Sequence, residues 1–260
     1  MFLMLALMVS RINEMEDLRG KRCLITGASK GIGLACARAL AAEGAHVTLM
    51  ARSEDGLKRE CAKIQADNGS ADYLACDLMR HEDCASLVSE REYDVLVNSA
   101  GMARHAPFLD VQTEDYRAVM ALNLEAMFFM TQRIAKKMIE KSISGSIINI
   151  SSQMGHVGGP DRTVYCASKH GVEGFTKAAS LELGAYGIRV NTIAPTFIET
   201  DLTRNALQQE AFKHWVDERI KLGRLATTGD ICGPCVFLAS EASAMVTGTS
   251  IRVDGGWTAG

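Results

Sequence analysis

The sequence lacks the features that mark membrane-spanning, exported and nucleic-acid-binding proteins. Its apolar run at 1–9 is too short to cross a bilayer and has neither a basic leader nor a small-residue cleavage site. The formal net charge is −3, and acids and bases are interspersed, so no extended basic face is available for nucleic acid or anionic lipid. We therefore expect neither a membrane nor a nucleic-acid partner.

The sequence also lacks the cysteine and histidine patterns that are typical of disulfide-rich domains and metal sites. The eight cysteines are scattered among apolar neighbours, which is typical of small buried residues in a reducing compartment, so we expect a cytoplasmic protein. The six histidines show no ligand spacing with cysteines or carboxylates, so no metal is expected. The segment from Cys232 to Cys235 copies the Cys-Gly-Pro-Cys dithiol of thioredoxin-like proteins. It lies in a late predicted helix, however, and we interpret it as core packing.

Prolines number only four, and internal repeats are absent, so nothing marks a second domain. Short β-branched runs alternate with longer helical segments, which predicts a doubly wound α/β fold with a parallel sheet covered on both faces. The predicted strands are Arg22–Thr26, His46–Ala51, Asp72–Ala75, Asp94–Asn98, Ser146–Ser151, Ile188–Ala194 and Ser250–Val253. The predicted helices are Ile32–Glu43, Glu54–Asp67, Thr113–Lys141, Val164–Tyr186 and Asp230–Ala239.

Two segments fall outside this alternation. We interpret residues 1–17 as an appended or alternative-start extension of a single catalytic domain at 18–260. Residues 200–222 follow a strand end, where α/β sheets place ligand-covering segments, and they carry Phe212 and Trp215 among polar residues. We expect this second segment to form a substrate lid.

A glycine-rich turn, Thr-Gly-Ala-Ser-Lys-Gly-Ile-Gly at 26–33, links the first predicted strand to an apolar helix. Gly27 permits the tight turn, Gly31 lets the backbone approach a pyrophosphate, and Gly33 allows close packing of helix on strand. The helix N-terminus presents free N–H groups to phosphates. A glycine cluster alone is equally compatible with a structural turn, but the strand-turn-helix setting favours a dinucleotide site.

The end of the second predicted strand favours NADP(H) over NAD(H). NAD enzymes usually place an acid there, which accepts a hydrogen bond from the ribose 2′-OH. Here the strand ends in Ala51-Arg52-Ser53, and Arg52 would pair with a 2′-phosphate through its planar fork. Lys30, in the glycine turn, would add a second positive charge. The alternative is that both are solvated surface cations.

Tyr165 and Lys169 are four residues apart and project from the same face of a predicted helix. An ammonium near a phenol favours the phenolate, so we expect a lowered Tyr165 pKa and a role for Tyr165 as proton donor and acceptor. Ser152, at the end of the preceding strand, would donate to a carbonyl oxygen as negative charge develops there. The Tyr-x-x-x-Lys spacing alone also occurs on ordinary amphipathic helices.

These residues together resemble the short-chain dehydrogenases/reductases, over about residues 18–257. The matching positions are Gly27-x-x-x-Gly31-x-Gly33, Asn98-Ser99-Ala100-Gly101, Asn123, Ser152, Tyr165 and Lys169. The resemblance implies a Rossmann fold with sheet order 3-2-1-4-5-6-7, commonly a homotetramer. It also implies a catalytic tetrad of Asn123, Ser152, Tyr165 and Lys169, in which the asparagine holds a water that links Lys169 to solvent. Ser99 and Thr196 depart from the usual asparagine and glycine.

The resemblance further implies contacts to the cofactor. Asp77 would contact the adenine, Asn98 and Gly101 would lie beside the ribose, and Ile198 with Thr200 would meet the nicotinamide carboxamide. The complete set of expected cofactor residues is Gly27, Ser29, Lys30, Gly31, Ile32, Gly33, Arg52, Ser53, Asp77, Leu78, Asn98, Ala100, Gly101, Tyr165, Lys169, Pro195, Ile198 and Thr200. Gln153 and His156 would offer hydrogen bonds to a polyhydroxylated substrate, although each would equally satisfy its own loop.

Within the family, the chain is most similar to dicarbonyl/L-xylulose reductases and bacterial sugar or polyol dehydrogenases, through segments such as Ser151-Ser152-Gln153 and the short link from Asp77 to Val95. This implies NADP(H)-dependent interconversion of a carbonyl and a secondary alcohol on a sugar, polyol or small dicarbonyl. One alternative is a 3-oxoacyl thioester reductase acting on an acyl carrier protein. A more remote one is a dinucleotide-sensing protein without turnover, against which the intact tetrad argues.

Overall fold

A seven-stranded parallel sheet forms the centre of the structure, a computed structural model that describes residues 17–198 and 210–260. The strand order is β3-β2-β1-β4-β5-β6-β7, so the predicted doubly wound fold is confirmed. The strands are β1 (Arg22–Thr26), β2 (His46–Ala51), β3 (Ser70–Ala75), β4 (Val95–Asn98), β5 (Ser146–Ile150), β6 (Arg189–Pro195) and β7 (Ser250–Val253).

Helices follow the strands and cover both faces of this sheet. They are α1 (Gly31–Ala42), α2 (Glu54–Ala66), α3 (His81–Ser89), α4 (Thr113–Met120), α5 (Ala126–Glu140), α6 (Thr163–Leu183), α7 (Glu210–Asp217) and α8 (Gly229–Ala239). None of the helices in these described ranges is long and apolar enough to cross a bilayer. The predictions for residues 1–16, for Thr200 and for the lid up to residue 209 lie outside the described residues.

The core lies in two layers because successive strand residues point to opposite faces. Ile25 of β1 joins the cluster that includes Leu40 of α1 and Leu238 of α8. Its neighbour Leu24 joins the cluster on the other face, with Met130 of α5. Every residue of β4 and β5 is buried, because helices cover both faces of the sheet, and these strands do not alternate between apolar and polar residues.

The connection order reverses between β1 and β4, which are neighbours in the sheet although they are the first and fourth strands in the chain. In doubly wound folds, ligands bind outside the carboxyl ends of the strands at such a switch point. The glycine turn follows β1, and the Asn98–Gly101 segment follows β4, so both lie at this position.

The link between β3 and β4 differs from the prediction. It contains the nine-residue helix α3, which the sequence reading did not anticipate. It also contains a disulfide between Cys76 and Cys84, so the expectation of cysteines without disulfides is wrong for this pair. Helix α3 brings the two Cα atoms to 6.1 Å, within the usual range for a disulfide. The other six cysteines are free.

Candidate active site

The glycine turn after β1 has the conformation and close contacts that only glycine accommodates. Gly27 has a φ of +66°, and a Cβ there would lie 2.8 Å from the Cα of Ala100. A Cβ on Gly33 would lie 2.7 Å from the carbonyl oxygen of Gly27, which is the close helix-to-turn packing expected at this position. Gly31 also has a positive φ, of +61°, but nothing lies within 4 Å of a Cβ built on it. The turn is therefore packed on one side and open on the other.

The open side of this turn fits the pyrophosphate of a dinucleotide. Helix α1 begins there, its N-cap Lys30 makes no side-chain capping bond, and its first turn contains no acid. The first N–H groups of a helix lack intrahelical partners and, with the helix dipole, favour a bound anion. When bound, a nicotinamide cofactor would supply or accept a hydride, and Ser29, Gly31 and Ile32 lie where they could hold its phosphates.

The turn lies next to the end of β2, where the predicted cofactor-selecting residues are found. Ala28 donates through its N–H to the Met50 carbonyl at 3.2 Å. Ser53 caps α2 by accepting from Gly56 N–H at 3.3 Å. Arg52 and Lys30 are exposed, and within the described ranges neither forms an ion pair. Both cations are thus available at the rim of the turn.

The segment after β4 is fixed by a residue that the sequence reading missed. The Thr26 hydroxyl accepts from the N–H groups of Ser99 and Ala100, at 3.1 and 3.2 Å, and so joins the ends of β1 and β4. The Asn98 side chain donates to Thr131 and Asn149, each at 2.9 Å, and is buried. The Nδ2 of Asn98 is therefore engaged within the protein, and its ribose contact stays a prediction. In the sequence, the only indication of this role was that Thr26 is a polar residue at the end of a predicted strand.

Asn123 lies in a short π-helical segment, Ala121–Glu125, between α4 and α5. Its side chain accepts from Met102 N–H at 2.8 Å, and donates to the Met102 carbonyl at 2.9 Å and to the Ser168 hydroxyl at 3.1 Å. π-Bulges inside α-helices are frequent at functional sites. Asn123 thus attaches the loop after β4 to helix α6, which carries Tyr165 and Lys169.

Lys169 and Tyr165 meet beside this loop. The Lys169 ammonium lies 5.8 Å from the centre of the Tyr165 ring and donates to the Ile150 carbonyl at 2.8 Å. A Cβ built on Gly101 would lie 3.3 Å from the Asn123 Oδ1, a tight contact, and 3.9 Å from the Lys169 Nζ, so Asn123 and Lys169 both lie next to the backbone of this loop. The four predicted catalytic residues therefore converge: Asn123, Ser152, Tyr165 and Lys169.

Ser152 follows β5 and faces the Tyr165 phenol. Its hydroxyl donates to Gln153 Oε1 at 2.7 Å and accepts from Met154 N–H at 3.1 Å. Gln153 is buried, so it is placed to orient Ser152. His156 Nε2 lies 3.0 Å from the Ser250 hydroxyl and 3.3 Å from the Glu173 carboxylate. Gln153 and His156, the predicted substrate residues, thus both bond to other residues of the protein. Their roles in substrate binding stay predictions.

Burial controls the titration of the central pair. It raises the pKa of Tyr165, while the Ser152 hydroxyl acts in the opposite direction. It lowers the pKa of Lys169 to about 8, and the Glu173 carboxylate acts in the opposite direction. The expected lowering of the Tyr165 pKa is therefore wrong for this structure. Desolvation of the phenol dominates, and the ammonium is directed to a backbone carbonyl.

The remaining predicted cofactor residues line the same edge of the sheet. Asp77 and Leu78 follow β3, where Asp77 Oδ1 accepts from Met79 N–H at 3.1 Å. Pro195 ends β6, and Ile198 is buried and forms a bridge to Ala226. The residues lie at the carboxyl ends of their strands, as a dinucleotide lying across the switch point requires.

The sequence predicted neither a redox role for the Cys232–Cys235 pair nor a metal site, and the described residues bear on both. A hydrogen bond with Cys36 and then burial raise the pKa of Cys235, and burial raises that of Cys232. Reactive dithiols need a lowered thiol pKa, so this pair lacks the electrostatics of a redox site. In the described ranges no group of three or more histidine, cysteine or acidic residues is arranged to hold a metal ion.

The chain is similar over most of its length to known dehydrogenases and reductases. The family described as enoyl-(acyl carrier protein) reductase matches residues 27–258. D-Threitol dehydrogenase of Mycolicibacterium smegmatis is 38% identical over 252 residues, which cover 93% of this chain and 94% of the relative. The 3-oxoacyl-[acyl-carrier-protein] reductase of Rickettsia conorii is 40% identical over 245 residues, which cover 93% of this chain and 98% of the relative.

The chain is also similar to a solved dehydrogenase structure over most of its length. A gluconate 5-dehydrogenase from Burkholderia cenocepacia, in complex with NADP and tartrate, superposes with a TM-score of 0.93. Its sequence is 34% identical, and the match covers 96% of this chain and 99% of that one.

Proposed function

Because the chain belongs to the short-chain dehydrogenase/reductase family, we propose that it interconverts a carbonyl and a secondary alcohol on a sugar, polyol or small dicarbonyl, with NADP(H) as cofactor. The chain is an oxidoreductase that acts on CH–OH groups with a nicotinamide cofactor. The observation that carries the proposal is the convergence of Ser152, Tyr165 and Lys169 beside the loop after β4.

In the reductive direction, the Tyr165 phenol donates a proton to the carbonyl oxygen, and in the oxidative direction it accepts one. The Ser152 hydroxyl, which donates to Gln153 Oε1 in the structure, turns to donate to the same oxygen when substrate is bound and stabilises the charge that develops on it. The Lys169 ammonium donates to the Ile150 carbonyl and, while it is protonated, keeps a buried positive charge 5.8 Å from the centre of the Tyr165 ring. Asn123 holds the loop after β4, and the family resemblance adds a water on Asn123 that connects Lys169 to solvent.

The test of this mechanism is Tyr165→Phe, which removes the phenol oxygen and keeps the ring. General acid catalysis contributes about 10² to 10⁴ in rate, so kcat should fall by about that factor while NADPH affinity is retained. Tyr186→Phe is the matched control, because Tyr186 is exposed in the turn after α6. A Tyr165→Phe enzyme with the activity of the control would overturn the mechanism.

The preference for NADP(H) rests on Arg52 and Lys30 at the rim of the glycine turn. Arg52→Asp should lower the ratio of NADP to NAD efficiency (kcat/KM) by about 10- to 100-fold, since it removes a charge-assisted hydrogen bond and adds repulsion to the 2′-phosphate. Arg59→Asp is the control, because Arg59 is an exposed arginine further along α2. An unchanged ratio in Arg52→Asp would refute the preference.

A second candidate is the reduction of 3-oxoacyl thioesters, which the 40% identity to the Rickettsia conorii reductase favours. A panel of xylulose, other ketoses, diacetyl and acetoacetyl thioesters, each followed by NADPH consumption, separates the two. Efficient turnover of the thioesters alone would establish the second candidate in place of the first.

The proposal includes one catalytic domain at 18–260 with a lid at 200–222, a homotetrameric assembly and a cytoplasmic location. Phe128 of α5 is 40% exposed, and its ring lies 5.1 Å from that of Phe175 on α6, which leaves an apolar face on these two helices. Six of the eight cysteines are free thiols, as in a reducing compartment, and the Cys76–Cys84 disulfide is the exception. Light scattering should give about four times the chain mass of 28.1 kDa, and a monomer would contradict the assembly.

A further inference from the structure

Arg162 is a buried cation beside the proposed catalytic tyrosine. It immediately precedes helix α6 and lies three residues before Tyr165, and only 8% of its surface is exposed. Burial lowers its pKa, although not enough to discharge a guanidinium. A charge so removed from water is costly unless a partner of opposite charge compensates for it.

The structure supplies Arg162 with aromatic neighbours. The guanidinium carbon lies 4.8 Å from the centre of the Phe212 ring, and 5.7 Å from those of Phe197 and Trp215. One N–H, on Nη1, donates to the Pro160 carbonyl at 2.7 Å. Of the carboxylates in the part of the chain that the structure describes, none lies within 4.0 Å of the group. Stacking on ring faces leaves the N–H edge of a guanidinium free to bind in its own plane.

Arg162 and Tyr165 lie together at the start of α6, and the loop of His105 contacts both positions. The Ala106 N–H donates to the Asp161 carbonyl at 3.1 Å, which holds the loop of His105 against the residue preceding Arg162. The His105 ring then lies 6.1 Å from the Tyr165 ring, in an edge-on contact. The Arg162 charge is close enough to lower the pKa of both His105 and Tyr165, in each case after larger effects.

We propose that Arg162 binds a carboxylate of the substrate, so that the preferred substrate is a sugar acid rather than a neutral sugar or polyol. The planar guanidinium fork and the two oxygens of a carboxylate match in geometry, and the aromatic rings exclude water from the pair. Tyr165 then acts on a carbonyl or secondary alcohol at another carbon of the same molecule. The inference rests on the proposed function and specifies the substrate class of the same site.

The test uses matched compounds that differ only in the end group. D-Gluconate and D-sorbitol share their four secondary alcohols, and D-threonate and D-threitol share two. Binding to the NADP⁺-loaded enzyme is followed by tryptophan fluorescence, because Trp215 and Trp257, the chain's two tryptophans, both pack in the aromatic cluster next to Arg162. The wild type should bind each acid about 10- to 100-fold more tightly than its alcohol, as expected for a charge-assisted bidentate pair.

Three variants locate the origin of this selectivity. Arg162→Met should abolish the preference for the acid, and Arg162→Lys should reduce it, because the ammonium keeps the charge but not the fork. Arg219→Met should retain it. Arg219 is also stacked on Trp215, at 4.6 Å, but 42% of its side chain is exposed, so this variant removes a guanidinium from the same ring while the buried Arg162 stays in place. If Arg162→Met does not fold, the Arg162→Lys comparison decides, with circular dichroism as the folding control.

Equal binding of acids and alcohols by the wild type, binding of neither, or a preference that persists in Arg162→Met or is unaffected in Arg162→Lys would overturn the inference. These outcomes are distinct from failure of the proposed function. Turnover of neutral ketoses without any preference for acids would uphold the oxidoreductase and refute the carboxylate site. A Tyr165→Phe enzyme of normal activity would refute the mechanism, whatever the binding selectivity.

Discussion

Alanine substitution at three glycines with positive φ can separate two reasons why the turn requires glycine, namely its left-handed backbone and its close packing. Two of these glycines lie in the turn, and the third, Gly20, lies outside it and serves as the reference. Gly20, Gly27 and Gly31 have φ values of +80°, +66° and +61°. Alanine in a left-handed conformation costs about 1–2 kcal/mol at each, partly offset by the reduced entropy of the unfolded chain. Nothing lies within 4 Å of a Cβ at Gly20 or Gly31. At Gly27 the Cβ would be 2.8 and 2.9 Å from the Cα and N of Ala100, so backbone has to move.

Gly27→Ala should therefore be less stable than Gly20→Ala by the cost of overpacking alone, about 1–3 kcal/mol. For a chain of this size, 1 kcal/mol corresponds to about 2–4 °C in Tm, so the two variants should differ by about 2–12 °C in calorimetry. Gly31→Ala should melt with Gly20→Ala but lose affinity for NADPH, because its methyl group occupies the open space at the N-terminus of α1. If Gly27→Ala melts at the temperature of Gly20→Ala, the reasoning from the Ala100 contact is refuted.

Two further predictions concern charge and cross-linking. Activity should decline as the pH rises through about 8, because Lys169 loses its proton there. Glu173→Gln removes the carboxylate that raises this pKa, so the decline should move to lower pH in kcat/KM profiles, and an unmoved decline would contradict the coupling. Reduction of the Cys76–Cys84 disulfide, whose cysteines are eight residues apart, should lower the free energy of unfolding by about 2–3 kcal/mol in urea titrations. In Cys76→Ser the reductant should not change the free energy of unfolding. If the reductant lowers that free energy as much as in the wild type, the disulfide is not the cause of the loss of stability.

The sequence predicted the sheet well because its strands are short β-branched runs bounded by turn residues. Strands β1, β2 and β7 have the predicted bounds, and the others differ by one or two residues. Helix α3 was missed because its first turn, His81-Glu82-Asp83, is polar and only Cys84 and Val88 are buried, which leaves little apolar periodicity. The disulfide was missed for the same reason, since only this helix brings Cys84 back to the end of β3.

Site prediction succeeded where the chemistry is carried by local spacing and was incomplete where it depends on distant contacts. The glycine turn and the Tyr165–Lys169 pair are short motifs, and their geometry follows from one turn and one helix. Arg162 sits in a polar stretch that looks like a solvated loop. Its aromatic neighbours Phe197 and Phe212 are distant in the chain, so nothing near Arg162 in the sequence indicates that it is buried.

The pair of hydrogen bonds accepted by Thr26 has a mechanical consequence for the crevice at the switch point. A single oxygen ties the strand that opens into the glycine turn to the strand that leads into the loop beside Lys169. Any separation of these two strand ends would break both bonds together and leave two amide protons without an acceptor. The walls on either side of the nucleotide crevice should therefore move as one body.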